Sequence, residues 1–200
     1  TVGSDLIIEE NAALTDINGL ASLTTVGSDL IIEENAALTD INGLVSLTSL
    51  GKSEEVMGGK LHIENNDALT NIDGLRGLTE VGEDLGGKLM ILDNDALTDL
   101  NGLADLTAIW GNFNVSQNRS LIHIDGLDSL LAIRGDELTI AENESLTNID
   151  GLGSLTSYRG DIQIYANALL CQSLINDFLT WLADLEWSFF SSDSFDNADC

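Results

Sequence analysis

An eighteen-residue segment, GSDLIIEENAALTDINGL, occurs at residues 3–20 and again without a substitution at residues 27–44. The same pattern recurs in weaker form to about residue 170, with 24 to 31 residues between successive copies. Self-similarity at such a period is typical of solenoids and other repeat architectures. Because one short repeat cannot bury its own apolar face, the repeats must stack on one another to form a core.

Seven repeats share one arrangement of apolar residues around a single Asn. An apolar-x-apolar triplet precedes the Asn, a Leu follows three residues after it, and six of the seven repeats then have a Gly-Leu pair. These short alternating segments predict short β-strands that point every second side chain into a shared interior. We expect the Asn to lie there too, where its amide can bind the backbone of the bend and the next Asn. The predicted structural column is Asn11, Asn35, Asn66, Asn94, Asn118, Asn143 and Asn167.

The repeats therefore predict a mainly β protein, a right-handed solenoid of about seven coils over residues 1–167. The consensus L-x-I-x-x-N-x-x-L-T-x-I-x-G-L-x-x-L-T-x-V-x-G resembles the leucine-rich repeats of receptor L domains. It is more similar still to L-domain-like repeats of secreted microbial proteins and fungal cell-wall proteins. The resemblance implies a surface protein that binds other molecules or scaffolds a wall. The disulfide-rich modules that accompany receptor L domains are absent from the sequence, which argues against a hormone receptor.

The pattern stops near residue 168, and residues 168–200 are expected to form a C-terminal cap. The segment SLINDFLTWLADLEW has apolar residues at helical spacing, which predicts an amphipathic helix with Ser173 as its N-cap. The two cysteines, Cys171 and Cys200, both lie in this segment. They are expected to form a disulfide, which is typical of an oxidising, extracellular compartment.

The first repeat has no corresponding cap before Thr1. We therefore expect its coil to present unpaired strand edges and an apolar cross-section. A neighbouring molecule that covers this coil in a head-to-tail contact would produce a fibre.

Extra residues enter the repeats at one corner, in two adjacent repeats, at residues 52–60 and 83–88. Both insertions end in Gly-Gly-Lys, so they are expected to project side by side with their final lysines in one column. Loops on a rigid scaffold commonly carry the binding residues of repeat proteins. The binding candidates are Lys52, Glu54, Glu55, Lys60, Glu83, Asp84 and Lys88.

The formal net charge of −27 argues against a nucleic-acid partner or an anionic membrane surface, because both would be repelled. No apolar run is long enough to span a bilayer, so no membrane insertion is expected. No catalytic triad and no phosphate-binding loop occurs, and we expect no enzyme activity and no cofactor. The histidines, His62 and His123, lie in different columns of non-adjacent repeats, so no metal site is assigned. The acidic columns Asp16/Asp40 and Asp73/Asp125/Asp150 predict at most weak Ca²⁺ binding.

Three glycosylation sequons occur, at Asn114, Asn118 and Asn143. Two of them belong to the inward Asn column, where a glycan has no room, so Asn114 is the expected site.

An alternative function follows from Ala-Leu-Thr triplets that recur around an inward Leu. Stacked repeats would align their threonines as a flat row, which an ice-binding solenoid would use. This row consists of Thr15, Thr39, Thr70, Thr98 and Thr147.

Taken in order of preference, the sequence predicts a non-enzymatic extracellular scaffold, a fibre subunit or an ice-binding protein. The scaffold would bind protein or glycan at a cell surface or matrix through an exposed sheet face and the two insertion loops.

Overall fold

The computed structural model describes residues 1–51, 58–82, 86–186 and 189–200. Short parallel strands and one α-helix, α1 (Gln172–Ala183), make up most of the regular structure in this part of the chain. The strands are β1 (Leu6–Glu9), β2 (Thr25–Val26), β3 (Leu30–Glu33), β4 (Ser49–Leu50), β5 (Leu61–Glu64), β6 (Glu80–Val81), β7 (Leu89–Leu92), β8 (Ala108–Ile109), β9 (Phe113–Ser116), β10 (Ala132–Ile133), β11 (Glu137–Ala141), β12 (Arg159–Tyr165) and β13 (Phe189–Phe195).

The longer strands form one eight-stranded parallel sheet in the order β1-β3-β5-β7-β9-β11-β12-β13. The register matches equivalent residues of successive repeats, so that Leu6 pairs with Leu30 and Leu30 pairs with Leu61. The two-residue strands form smaller parallel sheets, β2-β4 and β6-β8-β10. Each repeat thus contributes one strand to the large sheet, an arrangement consistent with a β-solenoid. The expectation of a mainly β protein with a helical segment near its C-terminus is confirmed.

A 3₁₀ helix turns the chain after the Asn of each of the first six repeats. In each of these helices the central Gly lies against the backbone of the preceding repeat, apart from the first helix. An added Cβ at Gly43 would be 1.9 Å from the carbonyl oxygen of Ile17. The repeated Gly-Leu pair is therefore a close-packing requirement. The helices are Asn18–Leu20, Asn42–Leu44, Asp73–Leu75, Asn101–Leu103, Asp125–Leu127 and Asp150–Leu152.

The apolar columns predicted from the sequence face a single continuous core. In the second repeat, Leu30, Ile32 and Leu38 are fully buried, and their equivalents in the third to seventh repeats are 0–1% exposed. Because such side chains each contribute roughly 1.5–3 kcal/mol when buried, the columns supply most of the driving force for stacking.

The Asn residues form a continuous hydrogen-bonded ladder along this core. Nδ2 of Asn94 donates to the carbonyl oxygens of Leu92 (2.8 Å) and Ile63 (3.0 Å) and to Oδ1 of Asn118 (3.3 Å). Its own Oδ1 accepts from the backbone N–H and Nδ2 of Asn66, both at 3.2 Å. From Asn35 to Asn167 these side chains are fully buried, as the sequence predicts. Buried amides of this kind are tolerated because their donors and acceptors are satisfied.

The C-terminal segment differs in part from the expectation. Helix α1 begins two residues earlier than predicted, with Cys171 at its N-cap and no side-chain capping hydrogen bond, so the prediction of Ser173 as N-cap is wrong. The Cys171–Cys200 disulfide is present. After the helix, β13 returns to the large sheet as its eighth strand, and Asn197 accepts from Asn167 as an eighth member of the ladder. Among the described residues, no helix combines the length and apolar character required to cross a bilayer.

Candidate recognition surface

Two of the predicted binding residues, Lys60 and Lys88, come directly before equivalent strands. The carbonyl oxygen of Lys60 accepts from the N–H of Leu30, and that of Lys88 accepts from the N–H of Leu61, each at 2.8 Å. The two lysines therefore occupy the same column of adjacent repeats, as expected. Lys52, Glu54, Glu55, Glu83 and Asp84 lie outside the described residues.

Four of the six basic residues that the structure describes fall at this corner of the repeat, just before a strand of the large sheet or at its start. We call its four described members, Lys60, Lys88, Arg134 and Arg159, the basic corner. Lys88, Arg134 and Arg159 are exposed. In a chain with a formal net charge of −27, this corner brings four positive groups together, with the carboxylates of Asp136, Glu137 and Asp161 nearby.

Two concave regions meet at Arg134. One, of about 250 Å³, is lined by Lys88, Asn112, Arg134, Asp136 and several glycines. The other, of about 440 Å³, lies between Arg134 and Arg159 and includes Tyr158 in its lining. The guanidinium of Arg134 also lies 5.8 Å from the ring centroid of Trp110, within the range of a cation–π contact.

Tyr158 is a buried residue at the basic corner. The residue is 1% exposed, and its hydroxyl donates to the carbonyl oxygen of Asp161 at 3.1 Å. Burial, with the neighbouring Asp161 carboxylate, raises the pKa of Tyr158 above its ordinary value. The phenol therefore stays neutral and acts as a fixed structural donor.

The outward face of the large sheet is a second exposed surface. At its C-terminal end, the rings of Tyr165 and Phe195 stack with centroids 4.9 Å apart and planes 7° apart. Phe195 is 52% exposed, so this pair presents an aromatic platform to solvent. Asn114 lies on the same face, half-buried between the fully buried Phe113 and Val115.

The sequons differ in accessibility. Asn118 and Asn143 are fully buried in the ladder, in keeping with the expectation that they have no room for a glycan. Asn114 Oδ1 accepts from the Ser116 hydroxyl at 2.5 Å. Glycosylation of Asn114 stays a prediction.

All five threonines of the proposed ice-binding row are exposed. Three hydroxyls donate to the backbone of the preceding repeat: Thr39 to the Thr15 carbonyl oxygen, Thr70 to that of Thr39 and Thr147 to that of Ile122, at 3.0–3.2 Å. The donors of these hydroxyls are therefore used within the fold, which gives the Thr column a structural role. Ice binding stays a prediction.

The acidic columns also have structural roles. Oδ1 of Asp16 accepts from the N–H of Asn18 at 3.1 Å, and Oδ1 of Asp40 accepts from that of Asn42 at 3.0 Å. These contacts are Asx turns that start the 3₁₀ helices. In the second acidic column, a carboxylate oxygen of Asp73 lies 3.0 Å from the Arg76 guanidinium, and one of Asp125 lies 3.4 Å from His123 Nδ1. The backbone N–H of Asp150, the third member, donates to the side chain of Asn148. Weak Ca²⁺ binding at these columns stays a prediction.

Sequence reasoning missed one side-chain cluster. His62 does have acidic neighbours, Glu33 and Glu64, because β3 and β5 are adjacent although 31 residues separate their equivalent positions. Alignment of the outward-facing positions of each strand, rather than the inward ones, would have found it.

The face of the first repeat is apolar and incompletely covered. Leu6, Ile8, Leu14 and Leu20 are half-buried, whereas their equivalents in the identical second repeat are fully buried. An added Cβ at Gly19 would meet no described atom within 4 Å.

Comparisons of the chain with protein-family models, curated proteins and solved structures gave no significant match.

Proposed function

We propose that the protein is a non-enzymatic extracellular scaffold that binds protein or glycan at a cell surface or matrix. In this proposal the stacked repeats form a right-handed solenoid of the leucine-rich type, with about seven coils and a C-terminal cap at residues 168–200. The disulfide supports an oxidising, extracellular location.

One observation carries the choice of binding surface: the basic corner, where two concave regions share Arg134 and one of them includes Lys88. Lys88 and Arg134 have no carboxylate within ion-pair distance among the described residues. By contrast, Arg119 lies 2.9 Å from Asp95 and Arg76 lies 3.0 Å from Asp73. Positive groups without acidic partners, next to the indole of Trp110, suit a partner that carries carboxylate or hydroxyl groups.

The corner can be tested by comparing two double variants that remove the same charge. Lys88→Ala with Arg134→Ala should reduce binding to cell-wall polysaccharide or surface protein preparations at least about tenfold, the cost of roughly 1.4 kcal/mol. Arg76→Ala with Arg119→Ala is the control, and its binding should match that of the parent. Equal losses in both variants would show a non-specific charge effect and would contradict this site.

A further inference from the structure

Three side chains with metal-binding atoms, Glu33, His62 and Glu64, converge on the outward face of β3 and β5. One ligand atom from each lies within 4.8 Å of the other two. The sheet produces this convergence, because Glu33 pairs with Glu64 across the two strands and His62 precedes Glu64 by two residues on the same face.

His62 distinguishes this cluster from the rest of the acidic surface. Although it belongs to the outward face, its side chain is only 9% exposed. Its Nε2 atom lies 2.5 Å from Oε2 of Glu64, so the ring is directed into the carboxylates. Its Nδ1 atom is buried and has no hydrogen-bond partner among the described residues. A buried polar atom without a partner is costly, so its presence here calls for an explanation.

We propose that Glu33, His62 and Glu64 bind a divalent transition-metal ion of the Zn²⁺ class. One imidazole and two carboxylates are donors that Zn²⁺ accepts, whereas Ca²⁺ is bound by oxygen ligands. Metal–ligand distances of about 2.0–2.2 Å in a tetrahedral site place the ligand atoms roughly 3.3 Å apart. Small rotations of the two Glu side chains bring the present cluster to this spacing, and water completes the coordination.

The electrostatic setting favours a cation at this position. Glu9 pairs with Glu33 on the next strand, so three carboxylates follow one another in this column. A divalent ion relieves their mutual repulsion and binds two adjacent repeats together. The binding therefore also stabilises the contact between β3 and β5.

The experiment is a calorimetric titration of untagged, metal-free protein with Zn²⁺ in the presence of excess Ca²⁺. Excess Ca²⁺ occupies the exposed carboxylates but does not compete effectively for an imidazole. We expect one Zn²⁺ per chain under these conditions. Co²⁺ should bind with the same stoichiometry and give the strong visible absorption of a tetrahedral site. Displacement of all Zn²⁺ by Ca²⁺ would overturn the proposal.

Variants assign the ligands. His62→Ala should lower Zn²⁺ affinity more than about 100-fold, since the loss of a direct ligand exceeds the effect of changing its supporting residues. Glu33→Gln, which keeps the side-chain size and is expected to leave the fold intact, should lower affinity by at least about tenfold. His123→Ala is the matched control and should bind as the parent does. Unchanged Zn²⁺ affinity in folded His62→Ala or Glu33→Gln would contradict the proposed site.

Discussion

The two ends of the large sheet carry different kinds of residue at their inward positions. At the first repeat, Leu6 and Ile8 point into the stack but stay half-buried, and Asn11 is exposed. At the last strand, Ser192 and Ser194 occupy the equivalent inward positions. Gln172 then closes the ladder, because its Oε1 accepts from Asn197 Nδ2 at 3.2 Å and its Nε2 donates to Ser194 at 2.8 Å.

This difference shows that a repeat's position in the stack decides what the same residues do. Residues 3–20 and 27–44 are identical, yet Leu30, Ile32, Leu38 and Leu44 of the second copy are fully buried and their equivalents in the first copy are half-buried. A polar terminal strand prevents further stacking, whereas the first repeat keeps apolar residues at the same positions. Repeat proteins generally need polar caps for this reason.

The largest expected difference lies between an interior Asn and the terminal one. Asn94→Ala removes five hydrogen bonds of the ladder and leaves the buried N–H of Asn66 without its acceptor. It should lower the free energy of unfolding by about 3–5 kcal/mol, whereas Asn11→Ala should cost under about 1 kcal/mol. Urea unfolding of both variants measures this, and equal costs would contradict the difference between end and interior.

Removal of the disulfide should destabilise the C-terminal end of the large sheet. The bond closes a chain segment with a sequence separation of 29 residues. Cys171→Ser with Cys200→Ser should therefore lower the free energy of unfolding by about 3–4 kcal/mol on a chain-entropy estimate. Hydrogen exchange should show the loss of protection first in β13 and last in the central strands. Uniform loss across the sheet would argue against a separate closing role for this segment.

The smallest expected effect belongs to the side chain that closes the ladder. Gln172→Ala removes one hydrogen-bond partner of Asn197 and one of Ser194, both at a half-exposed site. The expected cost is about 1 kcal/mol. Asn176→Ala, one turn further along the helix, is the control for general effects on α1. A thermal melt in which both variants lose the same stability would assign the effect to the helix rather than to the ladder.

The regular repeats made the interior predictable, because a fixed spacing identifies inward positions without knowledge of the register. The last strand was missed since Ser192 and Ser194 replace the apolar residues by which the other strands were recognised. The His62 cluster was missed for another reason. Its members come from two strands whose pairing crosses an insertion, so their proximity depends on the register of the folded sheet. Likewise, Arg134 and Arg159 join Lys88 only through stacking, since neither lies in an insertion.

Alanine substitution at the two equivalent glycines of the identical repeats tests the central claim most directly. Gly43→Ala places a Cβ 1.9 Å from the Ile17 carbonyl oxygen, whereas Gly19→Ala meets no described atom within 4 Å. In urea unfolding, we predict that Gly43→Ala loses more than about 3 kcal/mol, by analogy with other strongly destabilising backbone clashes. Gly19→Ala should stay within about 0.5 kcal/mol of the parent. Equal losses at the two positions would show that the first repeat is packed like the second, and would contradict the account.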